Sequence, residues 1–108
     1  MPFVATSKLE SRQIIPGYRA RFIHSKNLTI AFWTIKKNYL LPEHAHPHEQ
    51  VAMVTEGIFE LIVAGEKKRL KPGLVCIIPG NTKHSGKAIT DCKITDVFYP
   101  IREDYRKK

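Results

Sequence analysis

The stretch that decides the fold is "GIFELIVAGEKKRLKPGLVCIIPGNTKH", Gly57 to His84. Phe59, Leu61 and Val63 recur at every second position, the period of a strand with one face in a core. Gly65 then supplies a turn, and "KKRL" starts the return strand of a hairpin. "KPG", Lys71 to Gly73, is a second turn; "LVCIIP" reads as a buried strand and "PGNTKH" as a loop.

Outward from this stretch the same grammar continues. Leu28 to Ile35, "LTIAFWTI", is β-branched and aromatic, which favours strand. Val51 to Thr55 is a short apolar run, and "CKITDVFYP" is a last strand. Only "PIREDYRKK", at the end, supports a short helix. Short strands broken by Gly, Pro and Asn, with no helical period between them, predict an all-β antiparallel sandwich or barrel.

The chain has 108 residues, the size of one domain with one core. No apolar run approaches the length of a membrane span. "MPFVATSKLESR" lacks the charged-then-apolar layout of a secretory signal, so the expectation is a cytoplasmic protein. Cys76 and Cys92 are not spaced as a disulfide framework or a zinc knuckle, and Cys76 reads as a small core residue. The formal net charge of +8 raises the question of nucleic acid. The distribution argues against it: lysines gather at a turn, "GEKKRLKPG", and no basic helix or aromatic-plus-basic strip is present. The positive field suits small carboxylate ligands instead.

Before the deciding stretch lies "LPEHAHPHEQ", with His44, His46, His48 and Gln50 at every second position. On a strand His44 and His46 project from one face roughly 7 Å apart, close enough to converge on one ion with bonds of about 2 Å. A straight strand puts His44 and Gln50 roughly 20 Å apart, too far for one ion. Pro47 supplies the bend, so the expected set is His44 and His46 before it and Gln50 after it, with His48 behind the ligands or at the rim. His84, in the loop after "LVCIIP", is a further imidazole able to reach the same cavity. His24, in "RFIHSKN", reads as a surface or turn histidine.

In "TDVFYPIRED", Asp96 and Phe98 share one strand face. If Val97 faces outward, into a sheet or dimer contact, Asp96 and Phe98 face the cavity. A carboxylate on an inward face is paired or working. Arg102, beyond Pro100, can turn back to the mouth; the alternative is a structural Asp96–Arg102 pair.

"HAHPHEQVAMVTEG" resembles the first cupin motif through His44, His46, Gln50 and Gly57, and "GLVCIIPGNTKH" resembles the second through Gly73, Pro79 and His84. Asn81 stands where Gly is usual, and Ala88 where Asn often closes the motif. The resemblance covers roughly Asn38 to Lys108. It implies a single cupin jelly-roll β-barrel of two antiparallel sheets over residues 1–108: N-terminal strands over 1–37, a core barrel carrying both motifs over 38–100, and a C-terminal tail over 101–108. It also implies one divalent transition metal ion (nickel, zinc, manganese or iron) held by His44, His46, Gln50 and His84, and a homodimer.

The wider pattern through "DVFYPIRED" is similar to the pectin-degradation small cupins of the KdgF family. That resemblance implies conversion of unsaturated monouronates to linear keto forms in pectin or alginate breakdown, with Asp96, Phe98 and Arg102 as the catalytic and cavity residues. Tyr99 and Lys83 depart from the usual Thr and Pro, and neither is a ligand position. Three neutral imidazoles and a neutral amide leave an ion's charge uncompensated, which suits an anionic sugar-acid substrate. Other cupin enzymes, a dioxygenase or another isomerase, and a non-catalytic sugar-acid binder are the rival expectations.

Overall fold

β-Branched and aromatic runs punctuated by turn residues fold into ten strands in the computed structural model, which describes residues 2–106. The strands are β1 (Arg12–Ile15), β2 (Tyr18–His24), β3 (Thr29–Ile35), β4 (Leu40–His44), β5 (Glu49–Glu56), β6 (Phe59–Val63), β7 (Glu66–Leu70), β8 (Val75–Ile78), β9 (His84–Ala88) and β10 (Cys92–Tyr99). They form two antiparallel sheets, one of six strands in the order β1-β2-β3-β10-β5-β8 and one of four in the order β4-β9-β6-β7. This is the expected all-β double-sheet architecture. Among the described residues no helix is long and apolar enough to cross a membrane.

The alternation of each strand decides what enters the space between the sheets. The six-stranded sheet sends in Tyr18, Ile35, Ala52, Val54 and Ile94; the four-stranded sheet sends in Phe59, Leu61, Leu70 and Ala88. Phe59 and Leu61 are therefore the core face of β6, as the alternation of "GIFELIV" predicts.

Two expectations need correction, and a third is met. "LVCIIP" is not a buried strand: β8 is the edge of its sheet, and Val75 and Ile77 are 51% and 64% exposed, while Ile78 points inward. The short helix expected in "PIREDYRKK" is a 3-10 helix at Glu103–Tyr105, where the Tyr105 and Arg106 N–H groups donate to the Arg102 and Glu103 carbonyls at 3.1 Å; residues 107–108 of the stretch lie outside the described residues. His24 is neither a surface nor a turn residue; it ends β2, half-buried, with Nδ1 2.9 Å from Thr29 Oγ1.

The outer face of the six-stranded sheet has its own order. Cross-strand pairing places Ile77, Val51, Val97, Ile30 and Ile23 in one row across five strands. Val75, Met53, Thr95 and Phe32 form the neighbouring row.

Candidate metal centre and active site

Strand pairing assembles the site from distant residues. In the β4–β9 ladder His44 lies directly opposite His84, which sets their rings 4.2 Å apart between centroids. His46 sits just beyond β4, in the connection to β5, not on the strand itself. Its carbonyl accepts the Asn81 N–H at 2.7 Å, locking this connection to the β8–β9 loop. Two backbone features permit that approach. A Cβ on Gly80 would stand 2.4 Å from the Pro47 carbonyl oxygen, so only glycine fits. Asn81 adopts φ 61°, left-handed geometry that asparagine tolerates. The bend at Pro47 then leads into β5, where Gln50 faces inward.

The three imidazoles share one hydrogen-bonding scheme. His44 Nδ1 donates to the Pro42 carbonyl at 2.8 Å, His46 Nδ1 to the His48 carbonyl at 3.1 Å, and His84 Nδ1 to the Thr82 carbonyl at 2.9 Å. A carbonyl only accepts, so each Nδ1 carries the proton and each neutral ring keeps a lone pair on Nε2. Burial, then the Arg102 charge and the His84 ring, pushes His46 down to about 4; burial is also the main cause holding His84 below the ordinary histidine range. These are the neutral rings a metal needs. One ligand atom from each of His44, His46 and His84 lies within 4.8 Å of the others, and His84 Nε2 is buried without a partner. Gln50 Oε1 stands 3.1 Å from His46 Nε2 and adds an oxygen beside the cluster. This donor set fits a divalent transition metal. His48 contributes its carbonyl to His46 and is not in the cluster of ring ligands.

The cavity beside the cluster measures about 290 Å³ and is lined by all of His44, His46, Gln50, His84, Asp96, Phe98 and Arg102. Asp96 and Phe98 point inward from β10 while Val97 faces out, because Asp96 and Phe98 are 7% and 2% exposed. Burial pushes the Asp96 carboxyl up to about 7, opposed by the Gln50 amide, the Trp33 indole and the Arg102 charge. Those attractions stop short of a full set of bonds: Asp96 Oδ1 and Trp33 Nε1 are both buried with no partner at hydrogen-bonding distance and angle. The result is a carboxylate that costs free energy where it stands.

Arg102 does not pair with Asp96. Its Nε donates to Asp104 Oδ1 at 2.9 Å and its Nη2 to Oδ2 at 2.6 Å, a forked ion pair. The guanidinium lies over the rings of Phe98 at 4.7 Å and Tyr105 at 4.1 Å. The Arg102 backbone N–H donates to Thr29 Oγ1 at 2.8 Å, tying the C-terminal segment to the start of β3. Sequence reasoning overlooked Trp33, Asp104 and Tyr105. Trp33 was detectable: it shares the alternation of Ala31 and Ile35, both inward-facing. Asp104 and Tyr105 follow Pro100 in a segment with no period.

With this geometry in place, comparison with known proteins is direct. Residues 31–98 match the Cupin domain family. The chain belongs to the cupin family. Over 64 residues this cupin is 34% identical to the pectin degradation protein KdgF of Dickeya dadantii (strain 3937), a match covering 57% of the chain and 58% of that relative's length. It superposes on the structure of KdgF from a Halomonas species with a TM-score of 0.91 and 28% identity, covering 98% of this cupin and 99% of that chain. An RmlC-like cupin from Shewanella frigidimarina NCIMB 400 gives a TM-score of 0.92 at 28% identity, with 98% and 96% covered. This cupin is thus of the small KdgF-like kind.

Proposed function

We propose that this cupin opens the ring of unsaturated monouronates and converts them to linear keto acids, as in the breakdown of pectin or alginate. One observation carries the reading: a cluster of neutral imidazoles and a buried carboxylate without a full set of hydrogen bonds line one cavity in a chain similar to KdgF proteins. His44, His46, His84 and Gln50 would hold a divalent ion, which would supply Lewis-acid polarisation of a substrate oxygen.

The chain's own residues supply the rest. The reaction is an isomerisation: the anomeric hydroxyl loses a proton, the bond from C1 to the ring oxygen breaks, and a proton is added at C4 as C5 becomes a ketone. Asp96 is placed to move that proton, because its buried carboxyl lines the cavity beside the cluster. Phe98 walls the sugar face and carries Arg102 on its ring. Arg102, beside the cavity, attracts the substrate carboxylate, and the +8 chain recruits it from solution.

The test is incubation of the metal-loaded protein with 4,5-unsaturated galacturonate, with loss of the ring form followed by NMR. Acceleration over buffer is expected; none, with metal confirmed bound, removes the reading. Retention of the sugar acid without turnover marks a binder, and oxygen uptake with iron(II) marks a dioxygenase.

The same proposal includes a homodimer built on the outer face of the six-stranded sheet. The row Ile77, Val51, Val97, Ile30 and Ile23 spans five strands, roughly 20 Å at ordinary strand spacing, an extent suited to a standard interface. A two-fold axis near Val97 lays this row on its own copy, end to opposite end, apolar on apolar. It also covers the exposed edge residues Val75 and Ile77.

A further inference from the structure

We propose that Trp33 is a positioning residue for Asp96, with the indole N–H as the donor that fixes the carboxylate against the cavity wall. The sheet sets the relationship. In the β3–β10 ladder Trp33 lies opposite Ile94 and Asp96 lies opposite Ala31, so the two are diagonal neighbours on the inner face. Diagonal pairs on one face are within reach when one partner is a large aromatic. Both residues line the cavity.

Their chemistry is complementary. An indole offers one donor and no acceptor; an ionised carboxylate offers only acceptors. Trp33 Nε1 and Asp96 Oδ1 are each buried and each without a partner at hydrogen-bonding geometry. Leaving a buried donor and a buried acceptor unsatisfied side by side costs free energy twice, and a small closing movement removes both costs.

The indole is also held to this aim. Its ring meets Tyr18, Phe22 and Tyr105 edge-on, at 6.3, 6.0 and 6.1 Å between centroids and 78, 84 and 76° between planes. Three crossing aromatics fix the ring plane, so the N–H direction is set by packing rather than by the carboxylate. On the other side of β10, Gln50 lies opposite Phe98 and is the second diagonal neighbour of Asp96. Trp33 and Gln50 therefore flank the carboxylate from the two neighbouring strands.

This role rests on the reading of Asp96 as the proton carrier, and the experiment separates the two. Trp33 is the sole tryptophan, so the ¹⁵N-labelled metal-loaded protein gives one indole cross-peak. Asp96→Asn is expected to move that peak upfield, whereas Asp104→Asn leaves it in place. Replacing Trp33 by 3-benzothienylalanine keeps ring shape and removes only the N–H. It is expected to lower kcat on the unsaturated uronate about tenfold, the scale of one hydrogen bond to a charged group, with KM within about twofold and metal content unchanged. Trp33→Phe is expected to follow the same split. An indole peak unmoved in Asp96→Asn, or full kcat in the benzothienyl protein, overturns the assignment. If the wild-type protein turns over no uronate, the functional reading fails, and the cross-peak still decides whether Trp33 holds Asp96.

Discussion

His46 Nε2 stands 3.1 Å from Gln50 Oε1, although His46 already donates through Nδ1 to the His48 carbonyl. In the neutral ring that leaves two lone pairs facing each other, an arrangement a shared cation relieves. Gln50→Ala is therefore expected to weaken metal binding by about 10- to 100-fold, the range seen when the groups around a metal are altered. Competition with a coloured chelator measures it. Unchanged affinity removes Gln50 from the ligand set and makes His48 the candidate.

Gln50 also explains why an amide serves better here than a carboxylate. Gln50 and Asp96 are diagonal neighbours on the inner face of β5 and β10, and the amide, as a hydrogen-bond donor, favours the ionised Asp96 carboxylate and opposes the upward push of burial. Glu at this position binds the ion with a charge but sets a second anion beside Asp96. Gln50→Glu is expected to tighten metal binding while lowering kcat by at least about tenfold. Chelator competition and turnover, measured on one preparation, check the opposed signs; a rise in both contradicts the flanking geometry.

Asp96 is buried and incompletely hydrogen-bonded, which is unfavourable for folding and useful for proton transfer. Asp96→Asn is expected to lower kcat by about 10²- to 10⁴-fold, the usual share of a positioned acid or base, with metal content retained. The same substitution is expected to raise Tm at pH 8 by removing a buried charge. Loss of activity together with loss of stability instead makes Asp96 a structural anion.

Much of this was legible in the strand alternation. The period of "GIFELIV" placed Phe59 and Leu61 in the core, and the period of "TDVFYP" put Asp96 and Phe98 on one face, which the structure turns inward. The bend at Pro47 separated Gln50 from His44 and His46. What alternation does not encode is strand order. "LVCIIP" carries successive apolar residues, which look alike whether both faces are buried or one face lies at an open sheet edge. The same gap hid Trp33: its inward face was readable, but its place beside Asp96 depends on β3 pairing with β10 across the length of the chain. Asp104 was hidden for another reason, since its pairing with Arg102 depends on a short turn after Pro100 rather than on any repeat.

The Arg102–Asp104 pair predicts a pH dependence of stability. The hydrogen bonds from Arg102 hold the Asp104 carboxyl below the ordinary carboxylate value. A depressed folded pKa means that the stabilisation is present above the unfolded value of about 3.9 and is lost as pH falls through the folded one. The Asp104 side chain is 57% exposed, so solvent screening keeps the contribution near or below about 1 kcal/mol. Urea unfolding of wild type and Asp104→Asn at pH 7 is expected to differ by that amount, with the difference closing as pH falls below about 4. A gap that persists at low pH points to lost packing rather than to the ion pair.

The outer row of the six-stranded sheet carries the last prediction. Ile77 on the edge strand is 64% exposed, and Val51, its partner on β5, is half-buried. Neither side chain points into the cavity, so a charge there reaches the assembly without altering the site. Ile77→Lys is expected to split the homodimer, because a two-fold contact brings the new charge in twice and desolvates it. Light scattering then reports 12.4 kDa in place of roughly twice that mass, with the far-UV spectrum and metal content unchanged. Val51→Lys, in the same row, is expected to give the same result. If wild type already runs at the monomer mass at micromolar concentration, the row has no partner copy. If Ile77→Lys stays dimeric, the interface lies on another face.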